Sequence, residues 1–490
     1  MKLTELLAEL PEKSIHGDAE DIDVSGIVYD PLRVKPGYLF VAINIYTQLN
    51  KIEIPDGHDV VAEAVKNGAA AVVLQKDMAL PDNVVKIVVP ESRYALAKLA
   101  GLFYGHPSND FTMIGITGTN GKTTTTHIIE SIFEQKFRTG LIGTLYYKIN
   151  GTIFKSKDTT PEPPDLQEIF TRMKQEHVNY CAMEVSSHGI DFFRVEGIKY
   201  HIAIFTNLTR DHLDFHKTIE NYRATKMKLF NWLNPDDYAV INIDDPSSSY
   251  FIESSNSNIL TYAIHKDADI MAKNIEMTIK GMTFTLVTPD GEIDVKPKLI
   301  GYFNVYNILA AAGSAVAEKI DLETIKKGLE QNIRVSGRFE IVDKGQPFSV
   351  IVDYAHTPDG IQNVLQLAKD LKPNRIITVF GCGGDRDKEK RPIMGKIVSD
   401  LSDHFIITAD NPRTEDPKLI SNDIKAGITH TNYDEIIDRR AAIEKAIKTA
   451  REGDIVMLLG KGHETTQTLK TETIHFNDVE VAEDILSSLA

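Results

Sequence analysis

The chain has 490 residues, 42% of them hydrophobic and 25% charged, with a net charge of −16. That length exceeds a single hydrophobic core and predicts about three domains, and the acidic balance excludes a general nucleic-acid binder, which needs a basic face for phosphates. No apolar run reaches spanning length, the N-terminus is charged throughout, and Cys181 and Cys382 stand in no metal or disulfide spacing, so a cytoplasmic chain without membrane insertion is expected.

Residues 1–10 read as a short amphipathic helix. Strand-like runs at 26–30, 38–43, 70–74 and 85–89 surround a helical stretch at 60–67, the pattern of a small α/β unit. A helical run at 94–104 leads to the turn-rich break Gly105-His106-Pro107-Ser108-Asn109-Asp110. A strand at 113–117 then enters a glycine loop and a helix from residue 123, followed by buried-type strands at 180–185, 202–206 and 238–243. Strands alternating with helices predict a parallel sheet covered on both faces. Arg334-Val335-Ser336-Gly337-Arg338 is a hinge, beyond which strands at 348–352, 376–380, 405–408 and 454–459 alternate with helices at 358–371 and 391–401. The expected division is therefore 1–98, 99–335 and 336–490. In such sheets ligands sit beyond the carboxyl ends of the strands. The polar clusters fall at those ends, at 118–123, 184–188, 207–212, 353–356, 381–387, 410–413 and 460–464.

The phosphate loop runs Gly118-Thr119-Asn120-Gly121-Lys122-Thr123-Thr124 after an apolar strand. Its glycines let backbone N–H groups face an anion, and the helix N-terminus adds its dipole. Lys122 would reach the β- and γ-phosphates of a bound nucleotide, and the Thr123 hydroxyl would bind Mg²⁺. The usual pattern carries a glycine five residues before the Gly-Lys pair; here that position is Ile116, so the loop is a shortened variant. Glu184-Val185-Ser186-Ser187-His188 offers a carboxylate to a metal, although capping roles are common for such residues. Asn207–His216 is dense in potential ligands, and by spacing alone Lys226 is an ordinary helical lysine.

Together these stretches resemble the Mur ligase family of peptidoglycan synthesis. So do Asp353-Tyr354-Ala355-His356-Thr357-Pro358, Gly381-Cys382-Gly383-Gly384-Asp385-Arg386-Asp387, Asp410-Asn411-Pro412-Arg413 and Gly460-Lys461-Gly462-His463-Glu464. The resemblance covers nearly the whole chain and is weakest before Gly105. It implies a three-domain α/β architecture with a central P-loop parallel sheet and a C-terminal Rossmann-like domain. It implies an ATP-dependent ligase that activates a carboxylate as an acyl phosphate and joins an amine to it. Within the family the third region is similar to the members that add the third amino acid, diaminopimelate or L-lysine, to a UDP-linked muramoyl dipeptide. Such a protein is expected to work as a monomer.

The resemblance also implies residue roles. Lys226 would be carbamylated by CO₂ and bind a second Mg²⁺ with Glu184 and His212, while Thr123 and Glu184 hold the first. Asn304 would touch adenine, and Arg338 and Asp353 would clasp ATP. Thr159, Thr160, Ser186 and Arg194 would hold the UDP-linked acceptor; their alternatives are a turn before Pro161 and, for Arg194, a solvated charge. Arg386, Asp410, Asn411, Pro412, Arg413, Gly460 and Glu464 would hold the amino acid, unless Arg413 is a surface ion pair with Glu415 or Asp416.

The chain departs from the family at Asp30-Pro31-Leu32, where Asp-Ser-Arg is usual, at the long loop 44–55, at Phe192 in place of a glutamine, and at Ser336 in place of a proline. These changes leave open a different UDP-linked acceptor, such as a pseudomurein precursor. A P-loop GTPase would need Asn-Lys-x-Asp after a strand, and the nearest match, Asn50-Lys51-Ile52-Glu53, precedes the phosphate loop. A folylpolyglutamate-type ligase is disfavoured by the paired motifs at 410–413 and 460–464.

Overall fold

The computed structural model describes residues 1–43, 56–279 and 281–489. The long loop at 44–55, with Asn50–Glu53 inside it, lies outside the described residues. No helix among the described residues is long and apolar enough to cross a membrane.

The first sheet has the order Ser14–His16, Val85–Val88, Ala69–Leu74, Tyr38–Val41, Gly26–Val28, parallel except for its first strand. Leu3, Leu6 and Leu7 of the N-terminal helix and Ala95, Leu96 and Leu99 of the helix Ser92–Tyr104 cover one face. That second helix runs through the expected boundary at 98/99, and its Leu102 and Phe103 still pack on this core.

The central sheet has eleven strands. Thr112–Thr117 lies at its heart between Tyr180–Glu184 and Ile202–Phe205, all parallel. Side chains alternate across such strands, so each one feeds two cores. Ile114, Ile116, Ile202 and Ile204 meet the helices Lys122–Phe133 and Tyr302–Ala317; Met113, Cys181, Met183 and Phe205 meet Pro163–Gln175 and Ile219–Asn231.

The expected parallel sheet forms the core of this layer, and short antiparallel strands extend both of its edges. Gly281–Thr288 and Gly291–Val295 extend one edge antiparallel, and Tyr146–Ile149 and Thr152–Lys155 extend the other. Met282, Phe284 and Leu286 point inward while Thr283 and Thr285 point away, the period-2 pattern of a strand buried on one face. Continuous apolar runs mark only the doubly covered strands.

In the third unit the order is Glu340–Val342, Ser349–Asp353, Ile455–Leu459, Ile376–Phe380, His404–Ile407, Tyr433–Glu435. The last strand in sequence to pair here, Ile455–Leu459, inserts between earlier ones, with Asp353 in register with Leu459 and Val379 with Leu458. That crossover gathers the loops at 353–356, 381–387, 410–413 and 460–464 at one end of the sheet.

The helix Pro358–Asp370 starts with Thr357, whose hydroxyl oxygen accepts from Gly360 N at 3.1 Å. Thr357→Ala should destabilise this unit by about 1 kcal/mol, the usual worth of such a cap. The measurement is the urea midpoint of the variant against the parent; an unchanged midpoint would remove the cap's contribution.

Candidate active site

Gly118 and Gly121 adopt φ values of +149° and +92°, which bend the loop between strand and helix. A Cβ at Gly118 would lie 1.9 Å from the Thr206 hydroxyl, so only glycine fits. The neighbouring strand end braces the loop: Asn120 N donates to Asn207 Oδ1, and Thr119 N to Asn207 O, both at 2.9 Å. The Thr119 and Tyr222 hydroxyls are 3.3 Å apart. Lys122 Nζ donates to the carbonyls of Gly118 and Thr119 at 2.9 and 2.8 Å. Thr124 is buried in the first helical turn.

Lys226, 1% exposed, reaches the same loop and donates to Gly118 O at 2.8 Å. Burial, aided by the charge of Lys122, pushes its ammonium well below the ordinary lysine range. Burial also lowers Lys122 itself, against the pull of Glu184 and Asp211. His212 is lowered by burial and by the charges of Lys226 and Lys122, with Asp211 opposing. Its ring meets that of His188 edge-on at 4.8 Å.

Thr123 and Glu184 are in contact, the hydroxyl donating to Oε2 at 3.0 Å. Thr144, which the sequence did not single out, donates to the same carboxylate from its N at 2.8 Å and its hydroxyl at 3.1 Å. Its hydroxyl also lies 3.0 Å from that of Thr159. Thr144 follows the strand Thr139–Ile142, a further parallel strand whose carboxyl end points to the site. Marking that strand in the sequence would have found it. Among the described residues no cluster of three His, Cys, Asp or Glu side chains forms a self-contained metal cage. A hydroxyl beside one carboxylate, opposite a phosphate loop, fits Mg²⁺, which takes few protein ligands and completes its shell with phosphate and water.

Arg338 crosses from the third unit: its Nη2 is 3.5 Å from the Thr123 hydroxyl and its guanidinium lies over the Tyr354 ring at 4.9 Å. Asp353 accepts from Phe339 N and Ala355 N, both at 2.7 Å. Burial raises its pKa, with Arg338 opposing. Asn304, 4% exposed, donates to Ile300 O at 2.8 Å and accepts from Asn307, whose own Oδ1 takes the Thr125 hydroxyl beside the loop. Two more contacts join the units. Asn120 Nδ2 donates to Asp359 at 2.9 Å, and Arg210 pairs with Asp387 at 3.1 Å and Glu389 at 2.7 Å.

Arg194 is no solvated charge: at 4% exposed it donates to Thr160 O and pairs with Glu162, both at 2.8 Å. Thr160 is no mere turn residue; its hydroxyl donates to Glu184 O at 2.9 Å and accepts from Ser186 N at 3.1 Å. Thr159, Thr160, Ser186 and Arg194 are thus brought together beside Glu184. Arg93 joins them from the first unit, paired with Glu162 at 3.2 Å and stacked over Phe192 at 4.6 Å. At the departure Asp30-Pro31-Leu32, Asp30 caps a short 3₁₀ turn. The following Arg33 turns to Asp165 and Glu168 of the central unit.

At the end of the third sheet, Arg413 donates to Gly384 O at 2.8 Å. Its Nε is buried with no partner among the described residues. It is not an ion pair with Glu415 or Asp416. Glu415 holds Arg391 at 2.9 Å and Lys388 at 3.1 Å, while Asp416 caps the helix Pro417–Lys425. Burial and the nearby Arg386 lower the pKa of Arg413, with Asp410 and Glu464 opposing. Arg386 donates to Asp385 O at 3.1 Å. The carbonyl of Pro412 packs so closely on Gly384 that a Cβ there would meet it at 1.9 Å. Asn411 Nδ2 donates to Glu464 Oε2 at 2.8 Å, and Gly460, at φ +110°, lets its chain pass Asp410.

A phosphate loop joined across a domain boundary to a unit that carries buried basic side chains at its sheet end is the layout of an ATP-dependent ligase. The Mur ligase middle-domain model matches residues 116–315, and the model of the Mur ligase glutamate ligase domain matches 337–462. The chain belongs to the Mur ligase family. The UDP-N-acetylmuramoyl-L-alanyl-D-glutamate–2,6-diaminopimelate ligase of Bacillus velezensis is 47% identical over 489 residues, covering 98% of each chain. A solved structure of a ligase of that same name superposes with a TM-score of 0.68 at 31% identity, over 100% of this chain and 99% of the other. MurF from Thermotoga maritima, solved with ADP, shares the fold with a TM-score of 0.66 at 18% identity, over 96% of this chain and 100% of the other.

Proposed function

We propose that this chain joins meso-diaminopimelate to UDP-N-acetylmuramoyl-L-alanyl-D-glutamate at the cost of ATP, in peptidoglycan synthesis, as a cytoplasmic monomer. The observation that carries this reading is the junction itself: the phosphate loop, Lys226 and the Arg413 loop face one another across contacts made by Asn120, Arg210 and Arg338. Residues 1–98 would take the uridine end of the acceptor, 99–335 ATP, and 336–490 the amine.

The acceptor carboxylate attacks the γ-phosphorus of ATP, ADP leaves, and an acyl phosphate forms. The amine then attacks the activated carbonyl and expels phosphate. Gly118, Thr119, Asn120, Gly121 and Thr124 cradle the phosphates, and Lys122 neutralises charge on the transferring group. Arg338 and Asp353 hold the nucleotide, and Asn304 lies at its base. Thr159, Thr160, Ser186 and Arg194 orient the acceptor. Thr123, Glu184, His212 and Lys226 as its carbamate would hold Mg²⁺, which supplies electrostatic stabilisation of the phosphoryl oxygens. Carbamylation converts a cation that repels Mg²⁺ into an anion that attracts it. Contact between the units excludes water, which would otherwise hydrolyse the acyl phosphate.

The direct test is product mass after incubation with ATP, Mg²⁺, the UDP-linked muramoyl dipeptide and either diaminopimelate or lysine. A UDP-tripeptide carrying diaminopimelate is expected. A product formed only from another UDP-linked peptide would refute the acceptor assignment.

A further inference from the structure

We infer that Lys461 is a positioning residue for the incoming amine: it pins one oxygen of Glu464 and leaves the other to receive the amine's distal ammonium group. This rests on the proposed function, in which Glu464 belongs to the amine site and, as its carboxylate, would take that ammonium. The Lys461 side chain is fully buried. Its Nζ donates to Glu464 Oε2 at 2.9 Å, Thr466 O at 2.7 Å and Asn411 Oδ1 at 3.3 Å. An ammonium has three N–H donors, and three acceptors meet them.

The same carboxylate oxygen receives Asn411 Nδ2 at 2.8 Å, and Thr468 N fixes the amide by donating to Asn411 Oδ1 at 2.9 Å. Both side-chain donors therefore converge on Oε2, and among the described residues none donates to Oε1. The local backbone makes this possible. Glu464 N donates to Lys461 O at 2.9 Å, a tight turn that sets the two side chains on one side, and Gly460 and Gly462 flank Lys461 at φ +110° and +51°.

Burial favours the protonated form of Glu464, and a neutral carboxyl attracts an ammonium weakly; Lys461 opposes that effect. The other groups facing Glu464 are Asp410, Asn411, Arg413, Arg439 and Tyr354. Asp410 tends to be raised by burial but is held down by Lys461, Arg439 and Arg413. The two carboxylates together keep the pocket attractive to a cation although Lys461 is close.

The test compares meso-diaminopimelate with 2-aminopimelate, which keeps both carboxylates and one amine but lacks the distal ammonium. Lys461→Met should raise KM for diaminopimelate about 10-fold or more, the loss of one charge-assisted contact. KM for 2-aminopimelate, ATP and the acceptor should stay within about twofold. Lys461→Gln, which keeps a donor without the charge, should fall between parent and Lys461→Met, and it carries the comparison if the methionine variant does not fold. Equal rises for both amines would assign Lys461 a purely structural role and overturn the inference. A parent enzyme that uses both amines equally would overturn the Glu464 assignment itself, and the inference with it.

Discussion

Lys226→Ala is expected to lower kcat by about 10²–10³-fold, the scale seen when one fixed electrostatic group is removed from a transition state. The side chain is sealed in, 1% exposed, and set against the phosphate loop at Gly118. Burial and the charge of Lys122 favour its neutral amine over the ammonium. That amine can add to CO₂: a nitrogen–carbon bond forms, one N–H proton passes to solvent, and a carbamate anion remains. Alanine removes the anion and leaves a cavity of its shape. Short carboxylic acids such as acetate should therefore restore part of the rate to Lys226→Ala and none to the parent. Steady-state phosphate release with and without added acid checks both effects. An alanine variant with parental activity would exclude the carbamate.

Arg413→Ala is expected to cost about 10- to 100-fold in kcat/KM for diaminopimelate, since a charge-assisted hydrogen bond contributes about 1.5–3 kcal/mol. Arg386, Arg413, Arg439 and Lys461 surround the pocket, against the carboxylates of Asp410, Glu464 and Asp478. With its attacking amine neutral, diaminopimelate carries two carboxylates and one ammonium, one net negative charge; lysine in the same state carries none. The planar guanidinium of Arg413 suits the extra carboxylate. Lysine would bury it with carbonyl partners alone and no carboxylate, so the parent should use lysine poorly. The two amines compared at fixed ATP and acceptor give the answer, and equal use of lysine by the parent would show that Arg413 does not select.

The sequence made the chemistry-bearing strand ends readable because the doubly covered strands are continuous apolar runs that stop where polar residues begin. Residues 376–380 were placed to the residue, and Thr112–Thr117 and Tyr180–Glu184 within one. The antiparallel edges were not readable from such runs, since Gly281–Thr288 buries only alternate residues. By spacing alone Lys226 is an ordinary helical lysine, and Lys461 stands in a motif without a role of its own. Their burial is decided by partners 108 and 50 residues away, Gly118 and Asn411. Thr144 was missed because Thr139–Ile142 offers only Leu141 and Ile142 as large apolar residues, too short a run to mark a strand. The roles of Glu184, His212 and Arg413 came from the joint pattern of motifs, and the structure adds that Thr123, Glu184 and Thr144 touch and that Arg413 has no acidic partner of its own at Glu415.

The claim on which the rest depends is that ATP activates the acceptor as an acyl phosphate. Acceptor labelled with oxygen-18 in the D-glutamate side-chain carboxylate, turned over with ATP and diaminopimelate, tests it by mass spectrometry of the released phosphate. One labelled oxygen per phosphate is expected, because the carboxylate oxygen that attacks the γ-phosphorus leaves with it when the amide forms. Phosphate without label, alongside normal UDP-tripeptide, would contradict the account.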